Sequence, residues 1–539
     1  MNLFKLLRNS EKIRVINQNG FALIATLIFV FVISTMGIAL LSLTSNEVKL
    51  SVLQKESTDS FYLADSGAER AISWLEKQEG PPNSIPSPFD GSVDIEGLGG
   101  GYYNVKIVPD FSTAEFQREY VITSTAHSGD SESRRTVETK VKVESFAGFA
   151  YFSDIEEMDN ETKIWFRTGD VIGGKIHSND LIHISGEPLF LGKLTTSKDH
   201  IEYMYDEYHT YVDEDGDVFN DFPNFEDDFA LKTDRIDLEI VRNRDLSDTS
   251  NPKSLESITL GPSFNDEDVE DPGVYIPNNG ITSNGGIYIN GNTEEIILGT
   301  TGFGGNSKIS VVQGIGANKV TTEIIIDDVL RTTTVTKYDE DGDVIGFPIP
   351  HGGTTNGLLY VDGKVKNLHG DRDDGGLKGR LTIAATDDIE ISGDVLYNSR
   401  VEQNLNLSDP NVDLSTIDDS LGLVSSQDIY IKKYATGSGL DPDDIEINAI
   451  LMALNESFYY DGYNTTLKGT LKTFGGFIQV RRGAVGTFNS YSGAKISGFT
   501  KDYHYDNRMA STDPNIDSSI PPYFPTTGNY DKILWREIR

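Results

Sequence analysis

Phe21-Ala-Leu-Ile-Ala-Thr-Leu-Ile-Phe-Val-Phe-Val-Ile-Ser-Thr-Met-Gly-Ile-Ala-Leu-Leu-Ser-Leu43 is the stretch whose reading decides the fold. It holds no charge and no proline, and the next charged residue is Glu47. At about 1.5 Å per residue a helix of this length rises roughly 34 Å, enough to cross a hydrocarbon core of about 30 Å. Phe21, Leu23, Ile24, Ala25, Phe29 and Leu43 are read as membrane-span residues. The preceding leader, residues 1–20, carries Lys5, Arg8, Lys12 and Arg14 against Glu11. The chain beyond the span is strongly acidic. Basic flanks stay on the cytoplasmic side, so the expected topology is a single pass, N-terminus cytoplasmic and the bulk extracellular or periplasmic. No small-x-small cleavage motif ends the run, which argues against an ordinary cleaved signal peptide.

The apolar pattern continues beyond residue 43. Leu50, Leu53, Phe61, Ala64, Ala68, Ile72 and Leu75 recur at helical spacing, and no proline intervenes before Pro81. One helix is therefore predicted from about Phe21 to Glu76. It is apolar all round at first and striped later, with residues 44–78 forming a stalk. Gly67 is a weak point, worth about 1 kcal/mol relative to alanine unless close packing demands it.

A short basic leader ending in Gly20, followed by Phe21-Ala-Leu-Ile and an apolar helix, resembles the class III signal of type IV pilins and pseudopilins. Ser60-Phe-Tyr-Leu-Ala-Asp-Ser-Gly-Ala-Glu-Arg-Ala is similar to the matching segment of PilX-type N-terminal domains, with Asp65 where glutamate is usual. The resemblance covers about residues 18–76. It implies that prepilin peptidase cuts between Gly20 and Phe21, that the new amine is methylated, and that the helix packs beside other pilin or pseudopilin subunits. Major pilins carry glutamate at the fifth mature position; here it is Ala25. An ammonium in an apolar bundle needs a carboxylate partner, so the resemblance implies a minor subunit of a pilus or secretion assembly. A plain signal-anchored surface protein is the competing reading of the same run.

Gly80-Pro-Pro-Asn-Ser-Ile-Pro ends the helix. Gly99–Val108, Tyr120–Ala126 and Arg135–Glu144 then alternate as strands, and His127–Ser133 reads as a turn. The expectation is a pilin-like α+β module, with residues 79–146 a small antiparallel head. Residues 147–539 read as β throughout. A short pattern recurs as Asn179-Asp-Leu-Ile-His-Ile-Ser-Gly, Gly285-Gly-Ile-Tyr-Ile-Asn-Gly, Gly357-Leu-Leu-Tyr-Val-Asp-Gly, Asp387-Asp-Ile-Glu-Ile-Ser-Gly and Gln427-Asp-Ile-Tyr-Ile. Short strands repeating in this way suit a right-handed parallel β-helix or similar solenoid with insertions; a β-sandwich is the alternative. The C-terminal Ile533-Leu-Trp-Arg-Glu-Ile reads as a capping tail.

The chain has 539 residues, no cysteine and a net charge of −38. Without the +3 leader the balance is near −41. Phosphate recognition needs a basic surface, so nucleic acid is not an expected partner. Asp213-Glu-Asp-Gly-Asp-Val recurs as Asp339-Glu-Asp-Gly-Asp-Val. Asp213, Asp215, Asp217, Asp339, Asp341 and Asp343 place oxygens at alternate positions around a glycine turn. Two readings stay open: an acidic hairpin turn between Thr332–Tyr338 and Val344–Phe347, or a Ca²⁺ site, the one cofactor the sequence suggests. The glycine is fourth rather than sixth, unlike an EF-hand loop. His177, His183, His200, His209 and His351 show no metal-ligand spacing. No phosphate loop or hydrolase motif occurs, and no catalytic residue is assigned. The expected work is assembly and contact with a surface glycan or other surface. The enzyme alternative, a surface-anchored polysaccharide-active protein, points to Arg481, Arg482 and Lys472 as the notable basic cluster.

Overall fold

The computed structural model describes residues 19–538 apart from 79, 113–114, 130–132, 159, 205–210, 213–217, 220–222, 239–240, 242–245, 247–253, 262–272, 278–284, 303–304, 410, 490–493 and 511–518. A single helix runs Asn19–Leu75, 57 residues and about 85 Å long. Within its apolar half the hydroxyls turn inward on the backbone. Thr26 Oγ1 donates to the Ala22 carbonyl at 3.0 Å, and Thr35 Oγ1 to that of Val32 at 2.9 Å. A polar side chain satisfied by its own helix costs little in an apolar setting.

The second half of the helix lies on an antiparallel sheet. Ala64, Ala68, Ala71, Ile72 and Leu75 are buried against Val105, Tyr120, Ile122, Val137 and Val141. Small residues on the helix let it approach closely. At Gly67 an added Cβ would fall 2.3 Å from Ser124 Oγ and 2.7 Å from Tyr103 Cδ2, so the site is kept bare by packing. The sheet order is Asp90–Glu96, Tyr102–Asp110, Glu119–His127, Arg134–Ser145, and then Thr526–Ile538. The last strand corrects the expectation from sequence. The C-terminal segment is not a cap on the distal region. It returns from the far end of the chain to pair antiparallel with Arg134–Ser145, with Tyr530 opposite Val143 and Trp535 opposite Thr139. The expected division into a 79–146 head and a 147–539 domain therefore misplaces the final strand, and the β-rich region is an insertion between the last two strands of the head. The segment's own residues do not record which sheet receives it, because strand pairing is set by partners distant in sequence.

The inserted region is a large, mixed β assembly containing two long parallel ladders. In the first, Ile287, Leu359, Ile383, Leu423, Leu451, Phe477, Tyr151, Ile176, Leu194 and Phe229 are successive partners. In the second, Val365, Ile389, Ile429 and Phe458 stack. Leu359 pairs with Ile383 and Ile383 with Leu423, while Val365 pairs with Ile389 and Ile389 with Ile429. The two ladders advance in step, so the chain passes through both once per repeat. An antiparallel sandwich does not pair in this way. The recurring sequence pattern is spread over both ladders and a third, short sheet. Ile287–Asn290 and Leu358–Asp362 lie on the first ladder, and Ile389–Val395 and Ile429–Thr436 on the second. His183–Ser185 joins Phe166–Arg167 and Glu202–Tyr203. Glu295–Thr300 pairs in parallel with Val365–Gly370 of the second ladder, and from it an antiparallel meander runs out of the ladders to Gly352.

Chain order and ladder order differ at one point. The strand Phe149–Ile155 sits between Lys175–Ser178 and Leu467–Arg481, so the start of the inserted region pairs with its end. Two glycines let Leu467–Arg481 sit close to both neighbours, Gly475 toward Ile445–Ala453 and Gly476 toward the seam strand. A Cβ on the first would lie 1.9 Å from the Ala449 carbonyl oxygen, and one on the second 2.3 Å from that of Phe149.

Candidate assembly interface and seam cleft

The first candidate site is the bare half of the helix. From Phe21 to Leu53 its apolar side chains are exposed, Phe21 at 75% and Leu41 at 73%. Leu23, Ile24, Phe29 and Leu43 share that exposure, and Ala25 lies among them. By length and composition this helix can cross a membrane, and its most apolar window has no cover among the described residues. Each such side chain gains about 1.5–3 kcal/mol when removed from water, so covering this surface is strongly favourable. Gly20 lies in the helix next to Phe21, and the remainder of the leader, residues 1–18, falls outside the described residues.

Of the two acidic turns, the first, with Asp213, Asp215 and Asp217, lies outside the described residues. The second closes a hairpin between Thr332–Tyr338 and Val344–Gly352. There the Asp339 carboxylate accepts from the main-chain N–H of Asp341 at 3.1 Å and of Asp343 at 2.8 Å, and the Asp339 N–H donates to the Asp343 carbonyl at 2.9 Å. This carboxylate serves the turn itself. His177 and His183 occupy different short strands. The His177 ring bonds Thr195 Oγ1 at 2.8 Å and Asn179 Oδ1 at 3.0 Å, and burial lowers its pKa. His200 Nδ1 is 2.8 Å from Asp199 on the exposed surface, and a histidine outside the expected set stands between two carboxylates. His369 Nδ1 is 3.1 Å from Asp374 and its Nε2 3.3 Å from Glu295, and these two partners push its pKa up to about 9. Asp371 joins His369 and Asp374 in one cluster. His369-Gly-Asp-Arg-Asp-Asp is legible as a local signal, but Glu295 arrives only through the second ladder.

The second candidate site lies at the seam. The Arg482 side chain is buried with Glu156, which has no exposure at all. Its Nη1 donates to Glu156 Oε2 at 2.9 Å and to the Ile164 carbonyl at 3.0 Å, and its guanidinium lies 3.8 Å from the Phe166 ring centre. Glu156 also accepts from the Tyr151 hydroxyl at 2.7 Å and from Ser153 Oγ. These bonds compensate the cost of taking both charges out of water. Beside this pair a cleft of about 160 Å³ is walled by Tyr151, Phe166, Phe477, Tyr503, Arg482 and Lys501. The Lys501 ammonium is 3.5 Å from Asp170, and burial lowers its pKa. The cleft adjoins a wider one of about 500 Å³, which shares Lys501 and Asp170 and adds Trp165, Arg167, Tyr463 and Phe488. Of the basic cluster expected from sequence, Arg482 lines the inner cleft and Arg481 a neighbouring hollow. Lys472 lies elsewhere, 3.9 Å from Asp444.

A family model described as a domain of unknown function (DUF4900) matches residues 115–198. That span takes in the last two consecutive head strands, the seam strand and the first short parallel strands. Among curated proteins none matches this chain. Among solved structures, the chain is similar to the competence-associated pilin ComZ from Thermus thermophilus at 10% identity and a TM-score of 0.28, covering 90% of this chain and 97% of that one. That likeness is too weak to assign a function. A long N-terminal helix, bare in its apolar half and packed on an antiparallel sheet in the other, with a β-rich domain set into that sheet, makes the protein pilin-like in architecture.

Proposed function

We propose that this chain is a minor pilin-like or pseudopilin-like subunit, held in a membrane and then in a pilus or secretion assembly by its N-terminal helix. It displays the large acidic β-domain outside for adhesion or surface contact, and the work is assembly and display, not catalysis. One observation carries the reading: the helix is uncovered and apolar from Phe21 to Leu53, then becomes the packed spine of a sheet. A rod of this kind is covered either by lipid or by like rods. Ala22, Ala25, Gly37 and Ala39 supply the small surfaces that let helices approach, and packing between them is driven by dispersion. In this reading prepilin peptidase removes residues 1–20, and the basic leader keeps that end cytoplasmic. The absence of a carboxylate at Ala25 favours a minor position over the repeating shaft.

Mass spectrometry of the native N-terminus tests the proposal. The expected mature chain begins at Phe21 with a methylated amine. A native protein that keeps residues 1–20 overturns the pilin reading in favour of a plain signal anchor.

A further inference from the structure

The wider cleft beside the seam is an unassigned pocket in a chain that carries 84 acidic and 46 basic residues. Its walls reverse that balance. Among the described residues, the charged ones lining it are Lys163, Arg167 and Lys501 against Asp170. Two of these cations are already engaged, Lys163 with Glu202 at 2.7 Å and Lys501 with Asp170 at 3.5 Å. Arg167 is different. Its guanidinium lies 5.0 Å from the Phe488 ring centre and donates to the Asn489 carbonyl at 3.5 Å. Among the described residues its side-chain partners are thus a ring and a main-chain oxygen, not a carboxylate. The planar fork of an arginine matches a carboxylate with two parallel hydrogen bonds.

The cleft is also ring-lined. Trp165, Tyr463 and Phe488 are half-buried on its walls. Trp165 and Arg167 flank the buried Phe166, so alternate positions of one extended segment present a flat apolar platform and a cation side by side. Trp165 is held by the His183 ring at 5.3 Å between centres. Half-exposed aromatic faces beside a fixed cation suit a sugar ring, whose C–H face stacks while its substituents reach polar groups. The volume of about 500 Å³ lies within the usual range for ligand pockets.

The overall charge narrows the ligand further. At −38 the protein repels a polyanion at long range, and this field is screened only beyond about 10 Å at 0.1 M salt. A single carboxylate delivered to Arg167 escapes most of that penalty. The geometry points to an oligosaccharide-binding site in which Trp165 stacks a sugar ring and Arg167, seated over the Phe488 ring, takes the carboxylate of one acidic sugar in an otherwise neutral glycan. The inference names the ligand class for the surface-contact reading and rests on that reading only for its purpose. Binding itself is measured independently of N-terminal processing, so the two fail separately.

The test is calorimetric titration of the full chain in detergent micelles at low salt, with four probes. They are a neutral trisaccharide, the same trisaccharide capped with one glucuronate, an all-uronate oligomer, and an acidic tripeptide. The glucuronate-capped probe is expected to bind tightest. Arg167→Gln should weaken it about tenfold, to the level of the neutral probe, because one charge-assisted contact is lost. Trp165→Ala should weaken both sugars about tenfold while leaving their ratio unchanged. Far-ultraviolet circular dichroism of each variant, and unchanged protection of the buried Phe149–Ile155 strand, confirm folding. No sugar bound at millimolar concentration, tighter binding of the peptide or of the all-uronate oligomer, or affinities indifferent to both substitutions would each overturn the assignment.

Discussion

Tyr530→Ala tests whether the C-terminal strand truly completes the head. Tyr530 is 9% exposed and stands opposite Val143; its ring meets that of the fully buried Tyr120 edge-on, with centres 5.8 Å apart and planes at 72°. Removing a large buried aromatic costs about 3–5 kcal/mol. Here the strand is the outermost of the sheet, so the space left opens toward solvent and the low end applies, about 3 kcal/mol. Hydrogen exchange on the full-length protein in detergent reads this locally. Amides of Arg134–Ser145, which lose the partner strand when Thr526–Ile538 opens, should exchange on the order of a hundredfold faster, as about 1.4 kcal/mol corresponds to tenfold. Amides of Leu358–Asp362 and Arg380–Ala385 in the first ladder should not change. If Arg134–Ser145 keeps its protection while the distal ladder loosens, the C-terminus belongs to the inserted region and the head topology is wrong.

Two single contacts carry further expectations. Gly67→Ala gains about 1 kcal/mol of helix propensity but drives a Cβ to 2.3 Å from Ser124 Oγ and 2.7 Å from Tyr103. Overpacking of that kind costs about 1–3 kcal/mol, so the net effect is destabilising by about 1 kcal/mol, and a raised melting temperature would contradict close helix–sheet packing. His369→Gln should cost stability in a pH-dependent way. The folded pKa is raised to about 9 by Asp374 and Glu295, so the contribution is fully present below the unfolded value near 6.5 and disappears as pH rises through about 9. Allowing for solvent screening of a side chain 21% exposed, the variant should lose about 2 kcal/mol at pH 6 and almost nothing at pH 10 in denaturant titrations; a gap that widens with pH would refute the ion-pair account.

The long helix was legible because its evidence is local. An uncharged run from Phe21 to Leu43, a stripe from Leu50 to Leu75 and a proline stop at Pro81 need no knowledge of distant residues, and the helix observed is Asn19–Leu75. The strands Thr332–Tyr338 and Arg134–Ser145 were likewise written in alternation. Even Gly67 carried a signal, as a poor helix former inside a helical stripe. What the sequence left open was partnership. Ile533-Leu-Trp-Arg-Glu-Ile reads from sequence as a capping tail; only the folded chain sends Thr526–Ile538 back to Arg134–Ser145 and so turns the distal domain into an insertion. The five similar segments were visible as copies, but which copies stack depends on the unequal lengths of chain between them, which no single segment records. The seam cleft was less legible still. Trp165 and Arg167 come from the start of the inserted region, Phe488 and Lys501 from its end, and they meet because Phe149–Ile155 pairs with Leu467–Arg481. Periodicity reports how one segment meets water or core; long-range register is set by the competition among all segments for the same burial, and only the tertiary structure resolves that competition.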